Sequence, residues 1–395
     1  MMKILITSIV DIEQTAHGRL YRLLRYLAPK HEITVISIRD WWKAGQKSVG
    51  EGNRELDEIL KKVEIKHLTE KKASPVIQEL YSFKTASSIL KDINYKSFDA
   101  HLNYNSLVSG YVVTKKLKGA GIKTVYDVAD DLPEMIKTSP QIPSFMRPVG
   151  GFIGQAVLDE NIKNSEVVTV AGRYLKEELK SPKVKVIPNG VDTDIFRYAP
   201  QNDLRQDLSL DEAFVVGYMG ALREWIDLEP VFKAVKDAKE KIDLKFLIVG
   251  GEEGYKKNKE LAAKYGVEKE TLFIGAVPYT KVPEYISAMD ACLIPFRKNK
   301  VSDNSCPLKL FEYMSCEKPV ISTRINEVEH IVGDRILYAS TPEEYKGQIL
   351  RLNNDDKMRN VLGSEGRVFV KENYEWAGIT KDFETALDSV KKKAA

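Results

Sequence analysis

Residues 296–323 have the sequence FRKNKVSDNSCPLKLFEYMSCEKPVIST, which predicts a polar loop, a short helix and a strand in succession. Asn304 lies in the turn-forming part of the loop. Pro307 suits the first turn of a helix, because its missing N–H would be unpaired there in any case. We expect the helix over 308–315 and the strand over 319–322, an order typical of an α/β domain with a parallel sheet.

The start of this helix has the chemistry of an anion site. The N–H groups exposed at a helix start attract a phosphate through hydrogen bonds and through the helix dipole. Lys309 places a positive charge in the first turn, where the dipole disfavours it, and an anion bound there would explain it. Glu312, one turn later, is placed to accept hydrogen bonds from two vicinal hydroxyls. The alternative is a solvent-facing Lys309–Glu312 pair, which would stabilise the helix by roughly 0.2–0.5 kcal/mol.

A second candidate turn lies at 215–227, VVGYMGALREWID. The predicted strand ends in glycines, of which Gly220 lets a ligand approach the backbone. Arg223 follows, and its planar guanidinium fork suits a diphosphate. A strand followed by glycine and arginine is common, so this pattern is informative only together with its neighbours.

Short β-type runs alternate with helical patterns in both halves of the chain, which predicts two parallel sheets with crossover helices. The polar stretch 196–206 has the composition of a linker between them. Ligands of such sheets bind at the carboxyl ends of the strands, beside loops and helix N-termini. We therefore expect an α/β protein of two doubly wound domains that face each other across a cleft.

Composition excludes several classes of protein. The chain has 395 residues, of which 43% are hydrophobic and 30% charged, as in soluble globular proteins. The net charge of +3 is too small for a dedicated nucleic-acid binder. Residues 1–195 hold 29 basic and 24 acidic residues, whereas the second half is slightly acidic. This fits a first half that rests lightly on an anionic membrane surface; the alternative is a set of solvated, lysine-rich helices.

The cysteines and the N-terminus predict a cytoplasmic location. Cys292, Cys306 and Cys316 show no metal-binding spacing, so we expect reduced cysteines in a protein core. The first ten residues predict a strand rather than a signal peptide. No apolar stretch approaches the about 20 residues that span a bilayer.

Four stretches together resemble the GT-B glycosyltransferases of family 4: VIPNGVDTDIF (186–196), GYMGALREWID (217–227), LFIGAVPYTKVPEYISAMDACLIPF (272–296) and PLKLFEYMSCEKPVIST (307–323). The resemblance implies an N-terminal Rossmann-like acceptor domain over 1–195 and a donor domain over 196–371. It also implies a C-terminal helix, within 372–395, that crosses back onto the first domain.

The resemblance implies a reaction as well. A sugar would pass from a nucleotide-diphosphate sugar to a glycan or lipid-linked acceptor with retention of anomeric configuration, in surface glycan or polysaccharide assembly. No metal and no further cofactor would be required. The enzyme would be cytoplasmic, with a peripheral position on the inner face of the membrane for a lipid-linked acceptor.

The family resemblance assigns roles to donor-side residues. Glu312 matches the second glutamate of the Glu-x7-Glu motif, which holds the donor ribose. Arg223 would contact the diphosphate from the side opposite the helix start, and Lys309 and Arg223 would stabilise the negative charge on the leaving group. The remaining donor-side positions are the backbone that meets the diphosphate, at Gly220, Ser305, Cys306 and Pro307, and the residues that frame the base, Val277 and Tyr279.

The sequence departs from the family pattern at two places. Asn304 occupies the position of the first glutamate, which helps orient the donor sugar. The lysine usually found shortly after the position of Arg223 is missing, and Lys309 would supply its charge instead.

The acceptor side is expected in the first domain. The segment YDVADDLPEM (126–135) ends a predicted strand with a cluster of carboxylates that could position the acceptor hydroxyl. We expect Asp130 to act in catalysis and Asp127 to face the acceptor; the alternative is that Asp131 simply starts a helix. His17, in the loop after the first strand, is a further acceptor-side candidate because of the family resemblance.

The apolar stretch 142–152, IPSFMRPVGGF, leaves two interpretations open, a loop that touches lipid or acceptor and a packed interdomain loop. Two other functions also stay open. One is a different enzyme of the same fold, such as a nucleotide-sugar epimerase. The other is a sugar-nucleotide binding protein with reduced turnover, which the departure at Asn304 favours.

Overall fold

The computed structural model describes residues 1–13, 18–39, 54–139, 142–200, 202–251 and 254–392. The chain forms two compact units: unit 1 is Met1–Pro188 with Ala377–Ala395, and unit 2 is Asn189–Trp376. Each contains a parallel sheet covered by helices, which confirms the predicted pair of Rossmann-like α/β domains.

Unit 1 contains a seven-stranded sheet of order β3-β2-β1-β4-β5-β6-β7 within the described residues. The strands are β1 Lys3–Ser8, β2 Glu32–Ser37, β3 Val63–His67, β4 Ala100–Tyr104, β5 Thr124–Val128, β6 Val167–Val170 and β7 Val184–Val186. The helices are α1 Arg19–Leu27, α2 Arg54–Leu60, α3 Pro75–Asp92, α4 Val108–Lys118, α5 Leu132–Thr138, α6 Arg147–Asn164 and α7 Arg173–Leu179. Strands β4 and β5 are buried along their whole length, as expected when helices cover both faces of a sheet.

Unit 2 contains a six-stranded sheet of order β10-β9-β8-β11-β12-β13 among the residues described. The strands are β8 Phe214–Met219, β9 Leu244–Val249, β10 Thr271–Gly275, β11 Ala291–Ile294, β12 Val320–Ser322 and β13 Leu337–Tyr338. The helices are α8 Asn202–Asp207, α9 Glu229–Ala238, α10 Tyr255–Tyr265, α11 Val282–Ala288, α12 Lys300–Asp303, α13 Leu308–Ser315, α14 Asn326–Val332, α15 Pro342–Asn354 and α16 Asp356–Asn373. All strand pairs are parallel, so the carboxyl ends of the strands lie along one edge.

The last helix, α17 Trp376–Val390, lies almost wholly in unit 1. Phe383 is fully buried, and Glu384 accepts hydrogen bonds from Lys30 Nζ (2.7 Å) and pairs with His31 Nε2 (2.9 Å). Among the residues that the structure describes, none of the helices has both the length and the apolar character that a membrane crossing requires.

Unit 2 includes two segments that the predicted boundaries assign elsewhere, 189–195 and 372–376. The two segments are bonded to each other. Val191 and Glu375 form a parallel β-bridge, and the Thr193 hydroxyl donates to Glu375 Oε1 at 2.5 Å.

Three local predictions were wrong. The expected linker 196–206 contains the helix α8, where Arg205 donates hydrogen bonds to the carbonyl oxygens of Ala213 (2.7 Å) and Ala288 (2.8 Å). The polar loop before α13 contains α12, which begins with a reciprocal capping pair: Ser302 N donates to Asn299 Oδ1, and Asn299 N donates to Ser302 Oγ. Helix α6 begins at Arg147, within the stretch expected to be a loop.

Candidate functional site

Two glycines bring the carboxyl ends of three neighbouring strands together in unit 2. Gly220 N donates to Val249 O at 2.8 Å, and Gly250 N donates to Gly275 O at 2.9 Å. Both Gly220 (φ +127°) and Gly250 (φ +157°) have positive φ, and a Cβ on Gly250 would lie 2.2 Å from the Gly220 oxygen. Only glycine fits this approach, so the edge presents open backbone beside β8.

Lys309 in the first turn of α13 extends over this edge. Its Nζ donates to the Tyr218 hydroxyl at 2.8 Å and lies 4.2 Å from the centroid of the same ring. A Cβ built on Gly220 would lie 3.2 Å from that Nζ, so the ammonium lies beside the glycine backbone. Burial lowers the pKa of Lys309 to about 7, and the charge of Glu312 opposes this shift. The ammonium group is therefore short of negative partners at this edge.

The side chains of Glu312 and Tyr279 are in direct contact. The Tyr279 hydroxyl donates to Glu312 Oε1 at 3.1 Å. Tyr279 is buried and packs edge to face with Phe196, with ring centroids 5.6 Å apart. Val277, in the loop between β10 and Tyr279, is partly buried. The contact holds the Glu312 carboxylate beside the loop expected to frame the base.

The N-terminus of α13 has no side-chain cap among the described residues, and its first turn contains no acid. Pro307 occupies the cap position in an extended conformation. The segment before it is held in place: Cys306 O accepts from Asn189 Nδ2 at 2.7 Å, and Ser305 N donates to Ser302 O at 3.1 Å. The helix start therefore presents N–H groups that an anion can satisfy.

Asn304 adds a buried donor next to this helix start. Asn304 is only 9% exposed, and its Nδ2 has no hydrogen-bond partner within the described part of the chain. An unsatisfied buried amide costs about 1–3 kcal/mol, so such a group is typical of a position completed by a ligand. The sequence drew attention to this position because Asn304 stands where the family has a glutamate.

Arg223 is exposed in the loop that follows Gly220. Its charge lowers the pKa of Tyr218, although burial raises that pKa overall. Arg223 therefore acts electrostatically on the same hydroxyl that Lys309 contacts. The structure thus brings Gly220, Arg223, Lys309, Glu312 and Tyr279 to one edge of unit 2, with Asn304, Ser305, Cys306 and Pro307 immediately before α13.

Asp127 of unit 1 lies in a buried ion pair. Its Oδ2 accepts from Arg19 Nε at 2.8 Å, and its Oδ1 accepts from Arg19 Nη2 at 3.1 Å and from Thr169 Oγ1 at 2.6 Å. Arg19 is 3% exposed and Asp127 is fully buried. Any effect of Asp127 on an acceptor therefore acts through its charge. No pattern in the sequence pointed to Arg19 or Thr169, which lie 108 and 42 positions from Asp127.

Asp130, three residues later, is the exposed carboxylate of this edge. The pKa of Asp130 is raised, first by lost hydration and then by repulsion from Asp127. The dehydration is partial, because the residue is exposed. Asn105 (φ +48°) holds Asp130 through Nδ2, which donates to Oδ2 at 3.2 Å, and through Oδ1, which accepts from Asp130 N at 3.3 Å. Its left-handed backbone conformation was not foreseen.

The other candidates of the first domain, Asp131 and His17, have different outcomes. Asp131 caps α5 by accepting from Glu134 N at 3.1 Å, so the helix-start alternative was correct for Asp131. His17 lies outside the described residues. His101, on the neighbouring strand β4, is fully buried between Thr7 and Thr124, and burial lowers its pKa to about 3.

Residues 200–369 match the family model described as "Glycosyl transferases group 1". The chain is 28% identical over 179 residues to the uncharacterized glycosyltransferase MJ1069 of Methanocaldococcus jannaschii, covering 43% of this chain and 44% of that protein. It is 25% identical over 240 residues to the putative teichuronic acid biosynthesis glycosyltransferase TuaH of Bacillus subtilis, covering 56% of this chain and 58% of that protein. The matches thus span less than two thirds of either relative.

The structure is also similar to Anabaena Alr3699/HepE solved in complex with UDP-glucose, with a TM-score of 0.76 and 17% identity over 98% of this chain and 100% of that one. At this identity the likeness shows a common fold, and the chain has the two Rossmann-like α/β domains of the GT-B class.

Proposed function

We propose that the protein is a glycosyltransferase that uses a nucleotide-diphosphate sugar as its donor. The observation that carries the proposal is the convergence, at one edge of unit 2, of the Lys309 ammonium, the Gly220 backbone and the uncapped start of α13. The match to the group 1 glycosyl transferases covers this edge. It favours transfer over the epimerase and binding-protein alternatives.

In the proposed site the diphosphate lies between the start of α13 and Gly220. Lys309 and Arg223 would stabilise the negative charge that develops on the leaving diphosphate as the sugar–phosphate bond breaks. The cations and N–H groups of the chain thus supply the charge that a divalent metal supplies elsewhere. We therefore propose a transfer that does not depend on metal and keeps its rate in EDTA.

Glu312 would accept hydrogen bonds from the two ribose hydroxyls, with Tyr279 holding the carboxylate in place. Val277 and Tyr279 would frame the base. UDP is the first nucleotide to test, because the similar Anabaena structure was solved with UDP-glucose. Asn304 Nδ2 would donate to the sugar, where the family uses a glutamate.

For the acceptor we propose a glycan or lipid-linked acceptor in surface glycan assembly, which the name of the similar teichuronic acid enzyme supports. Retention of configuration, as in family 4, belongs to the same proposal. The leaving phosphate would then take the acceptor proton, and Asp130 would orient the acceptor hydroxyl. A lipid-linked acceptor would place the enzyme in the cytoplasm, on the inner face of the membrane.

Release of the nucleoside diphosphate tests this activity. Purified protein would be incubated with UDP-, GDP- and ADP-sugars and a bacterial lipid extract, and the products analysed by mass spectrometry. We expect one donor to give both a nucleoside diphosphate and a glycosylated lipid or glycan, with the rate at least about 100-fold lower in Lys309→Met. Equal rates in wild type and Lys309→Met, or an epimerised sugar nucleotide as product, would overturn the proposal.

A further inference from the structure

Helix α3 buries polar side chains and exposes apolar ones in its first half. Gln78, Glu79 and Ser82 are at most 7% exposed. Glu79 accepts hydrogen bonds from Val108 N (2.9 Å) and from Ser109 N (3.0 Å) at the start of α4. The opposite side of the helix presents a set of large apolar residues to solvent, between 44% and 67% exposed: Val76, Ile77, Leu80, Tyr81 and Phe83.

Helix α6 also exposes apolar side chains, because glycines occupy its buried side. Its glycines pack against α5: a Cβ on Gly151 would lie 2.4 Å from Lys137 Cγ, and one on Gly154 would lie 3.1 Å from Ile136 Cδ1. The bulky side chains of the first turns of α6 and of the 3-10 turn Ser144–Met146 before it face solvent instead, between 51% and 80% exposed: Phe145, Met146, Val149, Phe152 and Ile153. The stretch expected to be either a lipid-touching loop or a packed loop is therefore an exposed apolar helix start.

These ten residues, here called the apolar face, make up two thirds of the fifteen large apolar residues that are exposed in the described part of the chain. Helix α4 packs against both α3 and α6, so the two helices lie on one side of the sheet. Because helices between parallel strands run opposite to them, α3 and α6 both begin at the carboxyl edge. The two apolar stretches therefore lie at the same end of unit 1. Exposed apolar area of this extent marks an interaction surface.

The charges around the apolar face select its partner. Between residues 71 and 91 the exposed charges are all lysines, at 71, 72, 84 and 91, and the one acid is the buried Glu79. Residues 142–158 contain Arg147 and no acid. An apolar stripe with aromatic residues, bordered by basic side chains, is the composition of helices that lie in the interface of an anionic bilayer.

We propose that the apolar face binds the surface of anionic phospholipid membranes, with Phe145, Phe152 and Tyr81 in the headgroup region and the lysines of α3 against the phosphates. This inference deepens the proposed peripheral location, and in that respect it rests on the proposed function. The partner is committed to lipid, because every charged side chain within residues 71–91 and 142–158 is basic apart from the buried Glu79.

Vesicle co-sedimentation of the full chain tests the proposal, without nucleotide or acceptor. The vesicles would be pure phosphatidylcholine and phosphatidylcholine with about 30% phosphatidylglycerol. We expect binding to the anionic vesicles, and at least about tenfold weaker binding of Phe145→Ser/Phe152→Ser and of Leu80→Ser/Tyr81→Ser. The matched control is Val361→Ser/Val368→Ser, which removes exposed apolar residues of α16 (41% and 55% exposed) and should bind like wild type.

Circular dichroism and nucleotide titration of the same variants distinguish a loss of membrane binding from misfolding and from damage to the donor site. The substituted side chains are exposed, so we expect folded variants with unchanged nucleotide affinity. Wild type that ignores anionic vesicles, or apolar-face variants that bind like the control, would overturn the proposal. A dimer that these substitutions dissociate, without vesicle binding, would assign the face to a second copy and also overturn it. None of these results depends on whether the donor site is correct.

Discussion

The ammonium of Lys309 lies 2.8 Å from the hydroxyl of Tyr218 and directly beside the backbone of Gly220. A cation held against an aromatic ring and a neutral hydroxyl gains little compensation for its lost hydration, which is why its pKa falls to about 7. The edge of unit 2 is thus prepared for an anion, since an anion would restore the stability of the charged lysine.

Donor binding should therefore take up a proton near neutral pH. An anionic diphosphate favours protonated Lys309, so affinity for a nucleotide sugar should be highest below pH 7 and fall above it, by up to about tenfold per pH unit. Nucleotide sugars suit this test because their diphosphate is esterified at both ends. It therefore has no group of its own that titrates near pH 7, and the proton taken up can be assigned to the protein. Calorimetry at pH 7.5 in buffers of different ionisation enthalpy measures the uptake. Lys309→Arg, which stays charged, should abolish it; uptake that persists in this variant would contradict the assignment.

Replacing Gly220 should damage both folding and the site. Gly220→Ala forces a side chain into a backbone with φ +127°, and the new Cβ would lie 3.2 Å from Lys309 Nζ. We expect a loss of roughly 1–3 kcal/mol in the free energy of unfolding, measured in urea, and weaker nucleotide binding. Gly251→Ala is the control, since a Cβ at Gly251 meets nothing within 4 Å. Equal stability of the two variants would show that this backbone tolerates a side chain.

The Arg19–Asp127 pair should matter mainly for stability. Asp127→Asn leaves a buried guanidinium without its carboxylate, so the free energy of unfolding should fall by about 3–5 kcal/mol. Lys163→Ala removes an exposed partner of Glu160 and should change it by less than about 1 kcal/mol. Urea unfolding measures both. If the free energy of unfolding of Asp127→Asn is unchanged, the ion pair is not needed for stability, and the predicted acceptor-side role of Asp127 is favoured instead.

Asn304 should distinguish nucleotide sugars from nucleotides. Asn304→Leu keeps the approximate volume and removes the unpartnered Nδ2 donor. Because the family places this position at the sugar, we expect affinity for the nucleotide sugar to fall about 2- to 13-fold while that for the nucleoside diphosphate is unchanged. The protein itself should not be destabilised, since no existing hydrogen bond of Nδ2 is lost. An equal loss of affinity for both ligands would show that Asn304 contacts the nucleotide part rather than the sugar.

Local signals in the sequence predicted several elements correctly, because their causes are short-range. Pro307 marks the start of α13, as expected. The cap of α3 is equally local, since Ser74 Oγ accepts from Ile77 N and Pro75 follows in the first turn. Glu312 and Tyr279, which the family resemblance assigns separately to the donor side, are joined by a hydrogen bond.

What the sequence could not predict depends on contacts between distant residues. The start of α6 contains Pro148 and two successive glycines, which argue for a loop until α5 is known to pack against those glycines. The Arg19–Asp127 pair and the buried face of α3 likewise depend on partners far along the chain. Helix α12 is only four residues long and was hidden in a polar stretch, although its capping pair is local.

Calorimetric titration of UDP, GDP and ADP into wild type, Glu312→Gln and Glu284→Gln tests the donor site most directly. Glu284 pairs with Lys281 on the surface of α11 and serves as the matched control. We predict that one nucleotide binds wild type and Glu284→Gln equally, and that Glu312→Gln binds it at least about tenfold more weakly, because a charged acceptor for the ribose hydroxyls is lost. Binding of none of the three to wild type, or equal binding by Glu312→Gln, would contradict the donor site at α13.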